Sequence, residues 1–287
     1  RKFDEGREGV LMAFSLAGSS GSSLRLLESI RTSKAAYDES TLRVASGLKI
    51  NSSSDDPGGL ALGTKLKSEA TLATAIKSNV DNAKSYADAQ ITALTSIQTM
   101  IANMQTAKAE YEADNSTQVA KQAEFDNLQS QIYNLSQETF NGQALFTRGS
   151  NMSVVTSTDG GQSIVLDDIN LTTVLTSGGI NLDQNNNETI NTLAANDLTA
   201  ISDAVTSALG VASADSSVLG YASSFLESKA INLEAARSNI MDADAAEELI
   251  NQSTHKIQYE AAVAALAQAN ATQETVMNIL LFGKTSS

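Results

Sequence analysis

The chain has 287 residues and a formal net charge of −14, with 19 Lys and Arg against 33 Asp and Glu. Nucleic acids and anionic membranes are bound through basic patches, so this balance argues against either one as the main partner. The absence of cysteine excludes disulfides and thiolate metal sites. There is no Trp, and with six Tyr and seven Phe the cores must consist of Leu, Ile, Val and Ala, which suits thin helical seams.

The first segment, residues 1–11, has mixed charges without a helical or strand period, and the first methionine is Met12. We expect these residues to be a leader or a remnant added upstream, outside the fold. The N-terminus lacks the basic region and apolar core of a secretory signal, and no apolar run approaches the length of a membrane span. If the protein is exported, we expect a route without a cleaved signal peptide.

A first helix is predicted over residues 23–46, where apolar side chains recur every seven residues. These are Ile30, Tyr37 and Val44. The following sequence, SGLKINSSSDDPGG at 46–59, combines glycine, short polar side chains and proline, which all oppose continuation of a helix. Asp55 and Asp56 would lie beside the positive end of the next helix. On composition alone this segment is an ordinary loop between helices.

The clearest periodicity in the sequence follows Leu60. Side chains at alternating spacings of three and four predict a long helix with one buried seam. They are Ala73, Ile76, Val80, Ala83, Ala87, Gln90, Leu94, Ile97, Ile101 and Met104. The polar cluster at 114–117 is expected to end this helix, and a second, antiparallel helix is predicted from the spacing of Phe125, Leu128 and Ile132.

The composition changes after the turn signal at 140–142. Three short runs, separated by Asp-Gly-Gly and Ser-Gly-Gly, predict a small β-rich insertion. The runs are 153–156, 163–166 and 171–175. Between Arg148 and Lys229 there are nine acidic and no basic residues, without the spacing of a calcium loop, so a solvated outer face is expected. A short helical pattern follows at 189–209.

The last stretch, from Tyr221 to Phe282, contains neither glycine nor proline. As one helix it would be roughly 93 Å long. A compact globule of this length has a radius of gyration of only about 19 Å, so the helix must project and find partners for its apolar stripe. The stripe comprises Leu226, Leu233 and Ile240 and, after a phase slip, Ile250 and Ile257. Beyond it the sequence is rich in alanine, which favours close helix packing.

No constellation of catalytic, cofactor-binding or metal-binding residues is predicted. The single histidine, His255, has neither a second histidine nor a cysteine with which to form a zinc site. The acidic cluster of Asp242, Asp244, Glu247 and Glu248 is interpreted as a charged helix face. Phosphate-binding loops and nucleophile elbows have no counterpart in the sequence.

Four motifs, in the same order along the chain, resemble those of bacterial flagellins. The residues at 42–61 are similar to the amino-terminal signature RLSSGLRINSAKDDAAGLA, and Thr-Phe-Asn-Gly at 139–142 is similar to TQFNG. Near the other end, 233–244 resembles LxAARSRIEDAD and 266–270 matches LAQAN. Pro57 departs from the signature, and the sequence Ser-Asp-Asp-Pro is more like that of hook-filament junction proteins.

The resemblance implies a mainly α fold with long terminal helices forming a coiled coil, an elongated helical bundle and a small β-rich insertion in the middle. It also implies a division into domains. Residues 1–11 are the leader, 12–45 with 242–287 the terminal-helix coiled coil of the filament core, 46–57 the spoke linker, 58–148 with 190–241 the helical bundle, and 149–189 a small surface-exposed variable domain.

By the same resemblance the protein is expected to be a structural subunit, not an enzyme, that polymerises through its terminal helices into the extracellular bacterial flagellar filament. Its expected partners are further copies of itself, a flagellar export chaperone, and cap and hook-associated proteins. The alternatives are a hook-filament junction protein, or a surface adhesin or hydrolase carried by the middle segment. The residues expected at the spoke and in polymerisation are Arg43, Ser46, Gly47, Leu48, Ile50, Asn51, Asp55, Asp56, Arg237, Asp242, Asp244, Leu266, Gln268 and Asn270.

Overall fold

The computed structural model describes the backbone of residues 2–176, 190–192 and 194–282, and the side chains of 21–175, 190–192 and 194–278. It is mainly helical with a few short antiparallel strands, which confirms the predicted fold class. The elements are α1 (Lys2–Ser46), α2 (Pro57–Ala113), α3 (Gln118–Ser136), β1 (Thr139–Phe140), β2 (Gln143–Ala144), β3 (Met152–Val155), β4 (Ser163–Leu166), α4 (Leu171–Thr176), α5 (Ala195–Met241) and α6 (Ala245–Phe282).

The chain divides into two compact units. Unit 1 consists of Arg1–Leu66 and Ala235–Ser287, and unit 2 is Lys67–Glu234. Helix α1 begins at Lys2, ahead of the predicted start at residue 23. Residues 2–22 contain glycine but no proline, and glycine weakens a helix without breaking it.

In unit 1, α1 and α6 form a closely packed antiparallel pair, as predicted for the alanine-rich end of the chain. The Gln252 side-chain amide donates to the Thr41 hydroxyl over 2.9 Å, and the Gln273 amide donates to the Ser23 hydroxyl over 3.1 Å. On each helix the less exposed positions recur at spacings of three and four. The regular series comprises Ser23, Leu26, Ile30, Ser33, Tyr37, Ser40 and Val44 on α1, and Glu248, Gln252, His255, Tyr259, Ala262, Leu266, Ala269 and Gln273 on α6.

The predicted single helix from 221 to 282 is wrong, because the chain leaves the helical path at 242–244. The apolar stripe predicted along this helix, from Leu226 to Ile257, is also interrupted at 242–244. Leu226 is buried in unit 2, but Ile250 and Ile257 in α6 are 67% and 66% exposed. The seam between α1 and α6 combines small and polar side chains with a few larger ones such as Leu266, and it leaves Ile250 and Ile257 outside.

Unit 2 has one hydrophobic core built from α2, α3, α5 and the strands. All ten positions of the predicted α2 seam are buried. The single polar position, Gln90, is compatible with burial because its side-chain amide donates to the Leu145 carbonyl oxygen over 2.7 Å. Phe125 and Ile132 of α3 join the same core, as the spacing predicted.

Helix α5 is longer than its sequence pattern indicated. The predicted helical segment at 189–209 begins at Ala195, while Ile190 is buried in the preceding turn and Leu193 lies outside the described residues. Gly210 and Gly220 do not interrupt the helix. Both are exposed or half-exposed, and burial of the neighbouring Ala208, Ala212 and Leu219 compensates for their low helix propensity, about 1 kcal/mol each.

Two hairpins connect α3 to α4. Strands β1 and β2 are joined by Asn141 and Gly142 with φ of 51° and 79°, the positive values of a type I′ turn. Strands β3 and β4 pair antiparallel with Val154 opposite Ile164, as predicted for the runs on either side of Asp-Gly-Gly.

The third predicted β run, 171–175, is instead the short helix α4. Asn170 caps it, because its side-chain oxygen accepts the Thr173 N–H over 3.1 Å. Leu171 and Leu175, one helical turn apart, are both buried. The Ser-Gly-Gly turn after this run lies outside the described residues.

The acidic block is only partly a solvated face. Arg148 is almost fully buried, with its guanidinium over the Tyr86 ring and 3.8 Å from Asp168, whose side chain is also largely buried. Asp215 of α5 is half-buried nearby. Burial, and then the Asp167 charge, raise the pKa of the Asp215 carboxyl. Asp168 and Asp215 therefore lie near the buried guanidinium of Arg148, which also contacts Tyr86 of α2.

Replacing Leu94 by Ala should lower the free energy of unfolding by roughly 2–5 kcal/mol, because it opens a cavity in the core of unit 2. The measurement is urea unfolding followed by circular dichroism. Thr99→Ala, at an exposed position one turn further along α2, is the control and should change the value by about 0.5 kcal/mol or less. Equal losses in the two variants would contradict the core assignment.

Two aspartates of unit 2 should have opposite effects on stability. Asp88 accepts hydrogen bonds from Lys84 and Ser216, which lower its pKa, whereas the pKa of Asp215 is raised by burial. A lowered folded pKa stabilises the folded state above the ordinary value of 3.8, and this stability is lost as pH falls through the folded pKa. A raised folded pKa has the opposite effect: it destabilises the folded state at high pH, and this destabilisation disappears as the pH falls below the ordinary value of 3.8.

Asp88→Asn should therefore lower the urea midpoint at pH 7, and Asp215→Asn should raise it. The Asp215→Asn difference should vanish first as the pH falls, between the raised folded pKa of Asp215 and its ordinary value of 3.8. The Asp88→Asn difference should vanish only as the pH falls from 3.8 through the lowered folded pKa of Asp88. The same sign for both variants at pH 7 would show that these environments do not control the two carboxyls.

Candidate functional site

The predicted spoke residues meet in unit 1 where α1 ends and α6 begins; we call residues 46–60 with 241–248 the joint. Helix α1 ends at Gly47, whose φ of 70° is the left-handed value that favours glycine. Its N–H donates to the Arg43 carbonyl oxygen over 2.9 Å, which closes the helix end. The Ser46 hydroxyl accepts the Leu48 N–H over 3.2 Å.

Two backbone hydrogen bonds join the segment that follows α1 to the segment between α5 and α6. The Lys49 N–H donates to the Met241 carbonyl oxygen over 2.6 Å, and the Ala243 N–H donates to the Gly47 carbonyl oxygen over 2.9 Å. Leu48 and Asp242 are thereby paired as an isolated antiparallel bridge. Both chain segments leave their helices at this point, so each supplies the backbone groups that the other needs.

Side-chain carboxylates shape the remainder of the 46–57 segment. One oxygen of Asp55 accepts the N–H groups of both Asn51 and Ser52 over 2.9 Å. These bonds, that of Ser52 first, lower the pKa of the Asp55 carboxyl. The Asn51 side-chain amide donates to the Leu48 carbonyl oxygen over 2.9 Å. Asp56 caps α2 by accepting the Gly58 N–H over 3.0 Å.

Close packing makes two glycines of α2 necessary. A Cβ on Gly59 would meet the Asp56 side chain and lie 2.6 Å from Cδ1 of the buried Ile50. A Cβ on Gly63 would lie 2.6 Å from both Cγ and Sδ of Met241. The backbone of the first turns of α2 therefore packs directly against Ile50 and Met241, and the sequence did not predict this role for Gly59 or Gly63.

On the returning side, Asp242 and Asp244 stop α5 and start α6. The Ser238 hydroxyl donates to the Asp242 carboxylate over 2.6 Å. Asp244 is the N-cap of α6, because its carboxylate accepts the Ala246 N–H over 2.8 Å. Part of the acidic cluster interpreted as a charged helix face is therefore a pair of helix-terminating residues.

An ion pair crosses the joint from α1 to α6. Arg43 Nη1 lies 3.4 Å from Oε1 of Glu248, whose side chain is almost fully buried, and Arg43 Nη2 lies 2.5 Å from Glu39 Oε1. Glu248 was not among the predicted site residues. No sequence signal could identify it, because its partner lies about two hundred positions earlier.

The other predicted residues lie away from the joint. Arg237 is half-buried in the last turns of α5. Leu266 is half-buried on the α6 seam, while Gln268 and Asn270 are exposed on α6. Their part in polymerisation stays a prediction.

The joint consists of backbone hydrogen bonds and side-chain helix caps. Within the described residues, no group of three or more His, Cys, Asp or Glu is placed to hold a metal ion. Among the same residues, no helix has the length and hydropathy needed to span a membrane.

Gly59→Ala should loosen the joint by about 1–3 kcal/mol, because the new methyl group must displace Ile50 or Asp56. The measurement is hydrogen exchange of the Leu60 N–H, which donates to the Asp56 carbonyl oxygen. Gly58→Ala is the matched control, since its Cβ would lie at an ordinary 3.4 Å from Asp56. Faster exchange in the control than in Gly59→Ala would contradict the packing argument.

Comparison with known proteins identifies the family. The profile of the bacterial flagellin N-terminal helical region matches residues 19–151, and that of the bacterial flagellin C-terminal helical region matches residues 192–280. The segment between the two profiles contains the β3–β4 hairpin and α4. The first profile includes the 46–57 part of the joint.

Curated relatives agree over most of the chain. A flagellin of Listeria innocua is 24% identical over 282 residues, 90% of this chain and 96% of the relative. A flagellin of Halalkalibacterium halodurans is 28% identical over 258 residues, which cover 83% of this chain and 89% of the relative. Flagellin FljO of Caulobacter vibrioides is 24% identical over 277 residues, which cover 93% of this chain and 99% of the relative. These matches do not favour a hook-filament junction protein, an adhesin or a hydrolase. The chain belongs to the bacterial flagellin family and is a structural subunit of the extracellular flagellar filament.

Proposed function

We propose that this subunit polymerises through the paired helices α1 and α6, which supply the core of the filament. The observation that supports this is the apolar surface that the pair leaves exposed. Large apolar side chains stand exposed on both helices, and extensive exposed apolar surface is typical of protein interfaces. They include Leu24, Leu27 and Leu42 on α1 and Leu249, Ile250, Ile257, Val263, Val276 and Met277 on α6.

The exposed surface of α6 is also almost free of charge. From Leu249 to Phe282 the only ionised side chains are Lys256, Glu260 and Glu274. Copies of a chain with net charge −14 repel one another, so contact between them is least costly where the surface is neutral. The same apolar faces repeated from copy to copy, without closing, generate a helical fibre.

We assign the domains of the filament subunit as the sequence suggested. Residues 12–45 with 242–287 form the core layer, 46–57 the spoke, 58–148 with 190–241 the bundle, and 149–189 the outer variable region. In this assignment the hydrogen bonds of Gly47, Lys49 and Asp55 hold the spoke in one conformation, which keeps the polymerising helices in a fixed register.

The remaining parts of the function follow from the same proposal. The chain leaves the cell through the flagellar export route without a cleaved signal peptide, with the help of an export chaperone. Cap and hook-associated proteins are its other partners. Polymerisation by apolar contact requires no catalysis, so we propose that the protein is not an enzyme and carries no cofactor.

The double substitution Ile250→Ser and Ile257→Ser should raise the critical concentration for polymerisation at least about tenfold. Each change removes an apolar side chain from the interface, at about 1.5–3 kcal/mol if that side chain is fully buried there. Sedimentation and negative-stain electron microscopy measure the assembled fraction. The helix content of the monomer should not change, because both side chains lie outside the seam.

The matched control is Thr254→Ser with Gln258→Ser, two exposed polar positions on the same turns of α6. It should polymerise like the unsubstituted chain. Normal filaments from the isoleucine variant at the unsubstituted critical concentration would remove α6 from the proposed interface.

A further inference from the structure

Unit 2 carries a pocket that the core leaves unfilled. It has a volume of about 380 Å³ and lies between the middle of α2, the β1–β2 hairpin and strand β3. Its floor is apolar and includes the buried side chains of Ile76, Ala83 and Val154. A preformed apolar cavity of this size is suited to a large apolar group from outside.

The rim of the pocket is polar but uncharged. Four side-chain amides surround the opening, from Asn79, Asn82, Asn141 and Gln143. Among the described residues none of these amides has a hydrogen-bond partner, and none of the residues that line the pocket is charged. An occupant that offers an apolar group flanked by hydroxyl or backbone groups would match both the floor and the rim.

Helix α5 presents such a group elsewhere on the same unit. Phe225 is 66% exposed and Tyr221, one turn before it, is 78% exposed. Val211 and Val218 continue the exposed stripe at intervals of seven residues. The hydroxyl groups of Ser224 and Ser228 flank Phe225 on the exposed side.

Charge favours contact between the stripe and the pocket. Between Asp203 and Glu227 the sequence has a single charged residue, the half-buried Asp215, so the exposed stripe is neutral in a strongly acidic chain. The part of α5 that carries Phe225 also packs beside the part of α2 that lines the pocket. The Ser223 hydroxyl donates to Asp81, which lies between the rim residues Asn79 and Asn82.

We propose that Phe225 of one subunit enters this pocket on a neighbouring subunit. The contact joins two different surfaces of the same chain, and such heterologous pairing generates open fibres. The inference rests on the proposed polymerisation, and it adds a second interface, in unit 2, to that of α1 and α6. Phe225→Ala should raise the critical concentration at least about tenfold, as expected for loss of a buried aromatic side chain.

Disulfide cross-linking tests the contact directly, because the chain has no cysteine of its own. Subunits with Phe225→Cys are mixed in equal amounts with subunits carrying Asn82→Cys, polymerised and oxidised. Pelleted filaments should contain a cross-linked dimer on a denaturing gel. Ile231→Cys, at a 61% exposed position on another face of α5, is the control and should give no dimer with Asn82→Cys.

Filaments that form without the Phe225–Asn82 cross-link would overturn this inference and leave the proposed function standing. Failure of the unsubstituted chain to polymerise would instead overturn the proposed function, and this inference with it. If Phe225→Cys stays folded by circular dichroism but is excluded from filaments that admit Ile231→Cys, the contact is needed for assembly. Equal exclusion of the two variants would overturn the assignment of Phe225.

Discussion

The structure depends on two backbone hydrogen bonds, from Lys49 to Met241 and from Ala243 to Gly47. Every helix leaves backbone groups unpaired at its ends, and a chain that interrupts two helices must satisfy them in some other way. Here the two interruptions lie side by side and pair with each other. Residues far apart in sequence are thereby held at one point, from which α1 and α6 run antiparallel with Arg43 beside Glu248.

The two units use different solutions for packing helices. The α2 seam of unit 2 buries large side chains such as Leu94, Ile97 and Ile101, each of which removes much apolar area from water. The seam between α1 and α6 contains Ser33, Ser40 and Ala262, which allow close backbone approach but bury little apolar area. Unit 2 therefore buries much of its large apolar surface within the chain, whereas many of the large apolar side chains of α1 and α6 remain exposed.

The sequence predicted the elements whose pattern is long and regular. Ten seam positions over thirty-two residues of α2 leave only one helical face for the core, so their burial follows from the spacing. Short elements depend on single capping interactions instead. The residues at 171–175 are rich in Thr and Val, yet Asn170 and the buried Leu171 and Leu175 make them a helix.

Tertiary pairing accounts for what the sequence could not predict. No glycine or proline marks the break after Met241, because the backbone partner that stabilises it is Lys49. In α6, two stripes have heptad spacing, one through Ile250 and Ile257 and one through His255 and Ala262. Hydrophobicity selects the first, but the structure places the second in the seam with α1. The turn residues of the joint were readable from their chemistry, while Glu248 was not.

Charge is distributed unevenly along the chain. The acids between Arg148 and Lys229 are far more numerous than those on α6 after Glu248, which leaves α6 almost neutral. Repulsion between exposed charges is screened beyond about 8 Å at physiological ionic strength, so it acts mainly where surfaces touch. Contact between copies is therefore opposed most around the acids at 159–203, and least at neutral surfaces such as α6 and the exposed stripe of α5. Since Ile250 and Ile257 contribute nothing to the seam, changes at those positions can alter association while α1 and α6 remain paired.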